Sequence, residues 1–163
     1  MSSKSVVRSI VALMFVPCVV AGAFGQMPNP YGLSITLENA KKAAMPALAE
    51  AAKNNWAMAV AIVDPAGNLV YYEKMDNTQL GSANVAIDKA RSAVLFKRPT
   101  KAMQDTLAAG GEGLRVLRLQ GATPVEGGIP LVSDGKIVGA IGVSGATSAQ
   151  DGQCAKAAAD AFK

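Results

Sequence analysis

Residues 127–145, GGIPLVSDGKIVGAIGVSG, leave few folds open. Asp134-Gly135 lies between two apolar runs. It is the strongest two-residue hairpin signal, because both central positions of such a turn need positive φ. The spacing therefore predicts antiparallel strands over 129–133 and 136–144. On the second, Ile137, Gly139, Ile141 and Val143 alternate with Val138, Ala140, Gly142 and Ser144, so one face is thin. Glycines 139, 142 and 145 recur every three residues. That spacing matches neither a G-x-G-x-x-G dinucleotide fingerprint nor a P-loop. Glycine on a central strand instead lets a helix or a second subunit approach closely. Gly127 and Gly128 precede the strand and fit two roles equally: a plain turn, or backbone N–H groups facing an anion.

The rest of the chain fits around such a sheet. Residues 57–63 alternate Met58, Val60 and Ile62 with alanines and Val63. Asp64-Pro65-Ala66-Gly67 is turn chemistry, and LVYYEKM returns as the partner strand. Thr36 is a helix N-cap candidate, and Leu37, Ala40, Ala44, Leu48 and Ala51 follow at helical spacing. Pro46 inside that pattern predicts a kink or a break. A second helix runs from Ser82 to Phe96, with Ala83, Ala86, Ile87, Ala90, Ala93 and Val94 on its apolar stripe. Lys89 and Arg91 fall mostly off it, beside Asp88, as an exposed face. Pro99 ends this helix, and Thr100 caps a short one. Residues 108–113 read as a loop, and 114–120 as either a strand or a helical turn. A last helix starts at Ser148, with Ser148 and Asp151 in the form of a capping box. Two hairpins with flanking helices imply an α+β domain, one antiparallel sheet carrying helices.

The first residues read as a targeting segment. Lys4 and Arg8 precede an apolar run over 10–20, then small residues in AGAFG. This is a signal peptide over 1–25, cut after Gly25, although Ala23 also fits. The run is too short and too broken by Pro17 for a membrane span. Cys18 lacks the small residues that a lipoprotein site wants before it. Residues 26–34 form an extended arm and 35–163 the domain. The expected location is the periplasm or beyond. Removing Lys4 and Arg8 lowers the formal net charge from +4 to +2. No basic block suggests nucleic acid. Only Cys154 then remains, so no internal disulfide forms. There is no histidine in the chain, which excludes histidine-based triads, zinc sites and the usual haem ligand.

Four segments carry a family likeness: ITLENAKKA, AVAIVDPAGNLV, IDKARSAVLFKRPT and GGIPLVSDGKIVGAIGVSGATSAQDGQCAKAA. Together they resemble the GlcG/HbpS-like family of small haem-associated proteins, from about Leu33 to Phe162. The resemblance implies a profilin-like arrangement, a central antiparallel sheet with helices on both faces. It implies homo-oligomers from dimers to octamers. It also implies haem or another tetrapyrrole as ligand, with haem breakdown proposed for the group. Histidine ligation known among relatives has no counterpart here.

The ligand-binding candidates are Lys89, Lys97, Arg98, Thr100, Glu126, Gly127 and Gly128. The cations would clamp carboxylates, as arginine does through two N–H bonds. The competing reading makes Lys97 and Arg98 a solvated helix end and Thr100 a cap. Glu126 is a lone carboxylate without a fixed partner, so no acid–base pair and no catalytic residue follows. Without histidine, haem iron would need Met75, Met103, a tyrosine, a lysine or Cys154, or would go without a strong protein ligand, and methionine is more often core filler. Tyr71 and Tyr72 point to opposite sides of their strand. The expected function is an exported, oligomeric small-ligand-binding protein, haem being the foremost ligand. The alternatives are a haem-degrading enzyme and a ligand-free assembly module.

Overall fold

The structure is a computed structural model and describes residues 27–162. The expected signal peptide lies outside the described residues. The elements follow in the order α1 (Leu37–Lys53), β1 (Ala59–Val63), β2 (Leu69–Lys74), α2 (Ser82–Leu95), α3 (Thr100–Ala108), a 3-10 helix (Gly111–Arg118), β3 (Gly128–Ser133), β4 (Lys136–Ser144) and α4 (Ser148–Ala161). The two hairpins join into one antiparallel sheet of order β2-β1-β4-β3. Its centre is the β1–β4 pair, with Val60 opposite Val143 and Ile62 opposite Ile141.

The two faces follow from side-chain alternation. Met58, Val60, Ile62, Leu131, Ile141 and Val143 pack with the alanine stripes of α1 and α4. Ala59 and Ala61 meet Ala86 of α2, and Val63 and Ala140 meet Ala90, Ala93 and Val94. The thin face seats α2 almost on the backbone. Gly142 lies beside Ala61 on one strand and Gly128 on the other. A Cβ at Gly142 would run into the Ala86 carbonyl and come within 2.6 Å of the Ala90 nitrogen. Gly139 serves the opposite face, where a Cβ would stand 3.2 Å from Ile35.

Several local expectations change. The β3–β4 register slips: Leu131 faces Gly139, but Val132 faces Ile137. Val138 is the extra residue of a bulge. Ile137 therefore joins the α2 layer rather than sharing a face with Ile141, and Val138 turns to the α1 and α4 side. α1 runs unbroken through Pro46. The capping box of α4 is Thr147 with Gln150, not Ser148 with Asp151. Pro99 is the N-cap of α3, and Thr100 is its first helical residue. Residues 111–118 resolve the ambiguous stretch as a 3-10 helix without a buried residue.

The arm is part of the fold. Pro30 O accepts from Ile137 N at 2.8 Å, Gly32 N donates to Ile137 O at 2.8 Å, and Ile35 N donates to Val138 O at 2.9 Å. These bonds use the stretch of β4 that projects past the end of β1. The Tyr31 hydroxyl donates to Val94 O at 2.8 Å, at the end of α2.

Candidate functional site

Lys89 leaves α2 toward the sheet and is 1% exposed. Its Nζ donates to Asp151 Oδ2 at 2.6 Å and to Val143 O at 3.1 Å. The other Asp151 oxygen accepts from Ala146 N at 3.1 Å. A buried charge costs several kcal/mol unless it is paired and hydrogen-bonded, and this pair is both. Lys89 is thus no exposed helix residue, and Asp151 is no cap.

The glycines make room for this pair. Gly127 has φ +129, and a Cβ there would stand 2.9 Å from Lys89 Nζ and 3.0 Å from Asp151 Cβ. At Gly128 a Cβ would come within 2.7 Å of Thr100 Cγ2. Gly128 N donates to Thr100 Oγ1 at 2.9 Å, and Val143 N donates to Gly127 O at 2.9 Å. Both glycines are bound into the protein, and Thr100 holds the start of β3.

Glu126 stands at the edge of this cluster. Its N–H donates to Gln104 Oε1 at 2.8 Å. Its side chain lies over Gly152, where a Cβ would come within 2.6 Å of Glu126 Cγ. Loss of hydration raises the Glu126 carboxyl above the usual carboxylate value; Lys101 and Lys89 pull it down, while Asp105 and Asp151 push it up. Lys101 already pairs with Asp105, and Lys89 with Asp151. Glu126 is the odd carboxylate among two matched pairs.

The structure thus gathers five of the seven expected residues, Lys89, Thr100, Glu126, Gly127 and Gly128. Lys97 and Arg98 lie apart, at the C-terminal end of α2. Lys97 N donates to Val94 O and Arg98 N to Ala93 O, and Lys97 has φ +51. This is a Schellman motif with lysine at its left-handed position. Lys97 Nζ stands 5.1 Å from the centre of the Tyr31 ring, and Arg98 Nε donates to Phe96 O at 3.2 Å. Sequence reasoning missed Asp151 and Gln104 as members of the cluster. A signal did exist for Lys89: Ala86, Lys89, Ala90 and Ala93 share one helical stripe, so Lys89 points where the alanines point.

Open space lies on the other face of the sheet. One hollow of about 250 Å³ is lined by Asn39, Lys42, Ala43, Pro46, Ala158, Ala161 and Phe162. Another of about 260 Å³ is lined by Leu33, Ser34, Ile35, Thr36, Asn39, Ser133, Val138 and Phe162. None of the seven candidates lines either. Among the described residues, no group of three or more Cys, Asp or Glu side chains is placed to hold a metal ion, and no helix is long and apolar enough to cross a membrane.

An antiparallel sheet with helices on both faces, closed over a buried lysine–aspartate pair, defines a small α+β domain. The chain belongs to the HbpS-like family, described as haem-degrading proteins, whose model matches residues 35–160. Protein GlcG of Escherichia coli (strain K12) is 44% identical over 95 residues, 58% of this chain and 69% of that protein. The crystal structure of HbpS superposes with a TM-score of 0.73 at 32% identity, covering 81% of this chain and 92% of that one. The crystal structure of a PduOC–haem complex superposes with a TM-score of 0.71 at 26% identity, covering 80% and 96%.

Among the described residues, most of the groups considered above for haem iron are already engaged or buried. Met103 is 2% exposed, and its Sδ accepts from Ser92 Oγ at 3.4 Å. Cys154 is buried, its thiol pushed up to about 11 by burial and by Glu50 and Asp151. Lys89 is held in its ion pair. The Tyr31 hydroxyl donates to backbone carbonyls and the Tyr71 hydroxyl to Glu73. Met75 and Tyr72 are half-buried against the core.

Proposed function

We propose that this protein is an exported, oligomeric small-ligand-binding protein whose ligand is haem or a related tetrapyrrole. The observation that carries this reading is the haem complex of a relative with the same fold over nearly all of its length. The two hollows add to it. They offer apolar walls from Ile35, Ala43, Pro46, Val138, Ala158 and Phe162, with Lys42 at a rim. Ligand sites of this kind combine apolar walls with a few placed polar groups. Export rests on the charged, apolar and small-residue order of residues 1–25.

Oligomer formation has its own support. Leu114, Leu117 and Leu119 are 53%, 62% and 46% exposed along and just after the 3-10 helix. An apolar strip of this sort is the kind of surface that subunits cover. The reading is one of carriage or storage of the ligand, with breakdown of haem as its alternative.

Titration of the mature protein with hemin tests the reading. Saturable, stoichiometric growth of a Soret band is the expected result. Absence of any saturable shift overturns it. Loss of the band with reductant and oxygen, faster than for free hemin, would replace carriage with breakdown. Native mass spectrometry of the same sample reads subunit number and bound mass together.

A further inference from the structure

Building on the tetrapyrrole reading above, we propose that the ring is held by its faces and its carboxylates in a groove that runs from between α1 and α4 to the arm and the end of the β3–β4 hairpin, with Phe162 as the stacking wall, and that the metal at its centre contributes nothing to affinity. The inference starts from the donor set. A metal-dependent gain needs a protein atom free to bond the iron. The chain has no histidine. Among the described residues, several sulfur, phenol and amine groups that could substitute are engaged elsewhere, Met103 with Ser92, Tyr31 with Val94 and Lys89 with Asp151, and in this placement the exposed Lys42 ammonium serves the ring's carboxylates. Cys154 is walled into the core. Met45 is 56% exposed but lines neither hollow. What remains for a flat ligand is contact area and charge.

The groove supplies both. The two hollows share Asn39 and Phe162, so they adjoin there, and in this placement Phe162 is the partition. Each hollow, at about 250 and 260 Å³, falls just under the ~300–1,000 Å³ of sites that enclose a drug-sized ligand. A macrocycle therefore lies across the partition rather than inside either side. An aromatic ring at that point offers an offset-stacking surface. Ala43, Ala158 and Ala161 keep the walls low. Lys42 and Asn39 bring a cation and an amide to the same rim. Among the described residues, the Lys42 ammonium pairs with Glu38 alone, across an exposed i,i+4 contact. Such a surface pair is weak, so an incoming carboxylate can take the lysine over.

The experiment titrates the mature protein with hemin and, separately, with metal-free protoporphyrin IX, following tryptophan quenching at Trp56 and ligand absorbance. Phe162→Ala and Lys42→Glu are run alongside, with thermal melts to confirm that each folds. The expected result is that the two ligands bind within about threefold of each other. Phe162→Ala should weaken both by about tenfold, and Lys42→Glu both by about fivefold, each by the same factor for the two ligands. Hemin binding thirtyfold or more tighter than the metal-free ring overturns the proposal by revealing an iron ligand, while leaving the tetrapyrrole reading intact. Equal affinities unmoved by either substitution overturn the placement in this groove. Should Phe162→Ala fail to fold, Lys42→Glu decides the placement alone. Saturable binding of neither ligand removes the tetrapyrrole reading, and this proposal with it.

Discussion

The two faces of the sheet are built by opposite means. On the α2 face, glycine and alanine bring backbone against backbone, and a charged pair is sealed beneath. On the α1 and α4 face, large apolar side chains fill the sheet surface, and the helices above them carry alanine. The first face is closed and every polar atom of its buried pair is answered. The second leaves hollows at its edge. The contrast teaches that charge gathered by a fold marks where layers are locked together, and that a ligand fits better where apolar surface is left uncovered.

Breaking the lock should have the largest effect. Lys89→Ala strands Asp151 in the interior and should cost about 3–5 kcal/mol in denaturant unfolding. A Lys89→Met, Asp151→Leu double variant should recover most of that loss. If the single change costs less than about 1 kcal/mol, the pair is not the lock. Next comes the seat of the helix. Gly142→Val drives a branched side chain into the α2 backbone and should cost upward of about 3 kcal/mol, near the top of the overpacking range. A melt unchanged from the parent would mean that α2 does not rest on this row.

Smaller effects sharpen the contrast. Burial lifts the folded Glu126 carboxyl above its unfolded value. A group shifted this way stabilises the fold when protonated, and that contribution is lost as pH rises through the folded value. Glu126→Gln should therefore melt above the parent at pH 7 and converge with it below about pH 4. Parallel melting curves from pH 4 to 7 would contradict the shift. The smallest effect belongs to Lys97→Gly. Relief of left-handed backbone, about 1 kcal/mol, is opposed by loss of the contact with Tyr31, about 0.5 kcal/mol, so a slight rise in melting temperature is expected.

The sheet was legible because its signals are local. Asp134-Gly135 and the turn at Asp64 each define a hairpin within a few residues. Antiparallel pairing and the helices follow from alternation and 3.6-residue spacing. The site was legible only in part. Gly127 and Gly128 stood out as glycines, but the object they surround did not. The Lys89–Asp151 contact spans 62 residues, and no local pattern links the two. Asp151 was hidden by its place three residues after a serine, which imitates a cap. The bulge at Val138 was equally hidden, since strict alternation gives no warning of an extra residue.

That extra residue has a consequence for shape. A regular ladder would send Ile137 to the layer of Ile141 and tuck Val138 under α2. The inserted step turns the end of the strand over, so Ile137 plugs one layer and Val138 borders the hollow beside Phe162. The recess exists because the weave of the sheet drops a stitch there, and deleting Val138 would mend the fabric and lose the opening.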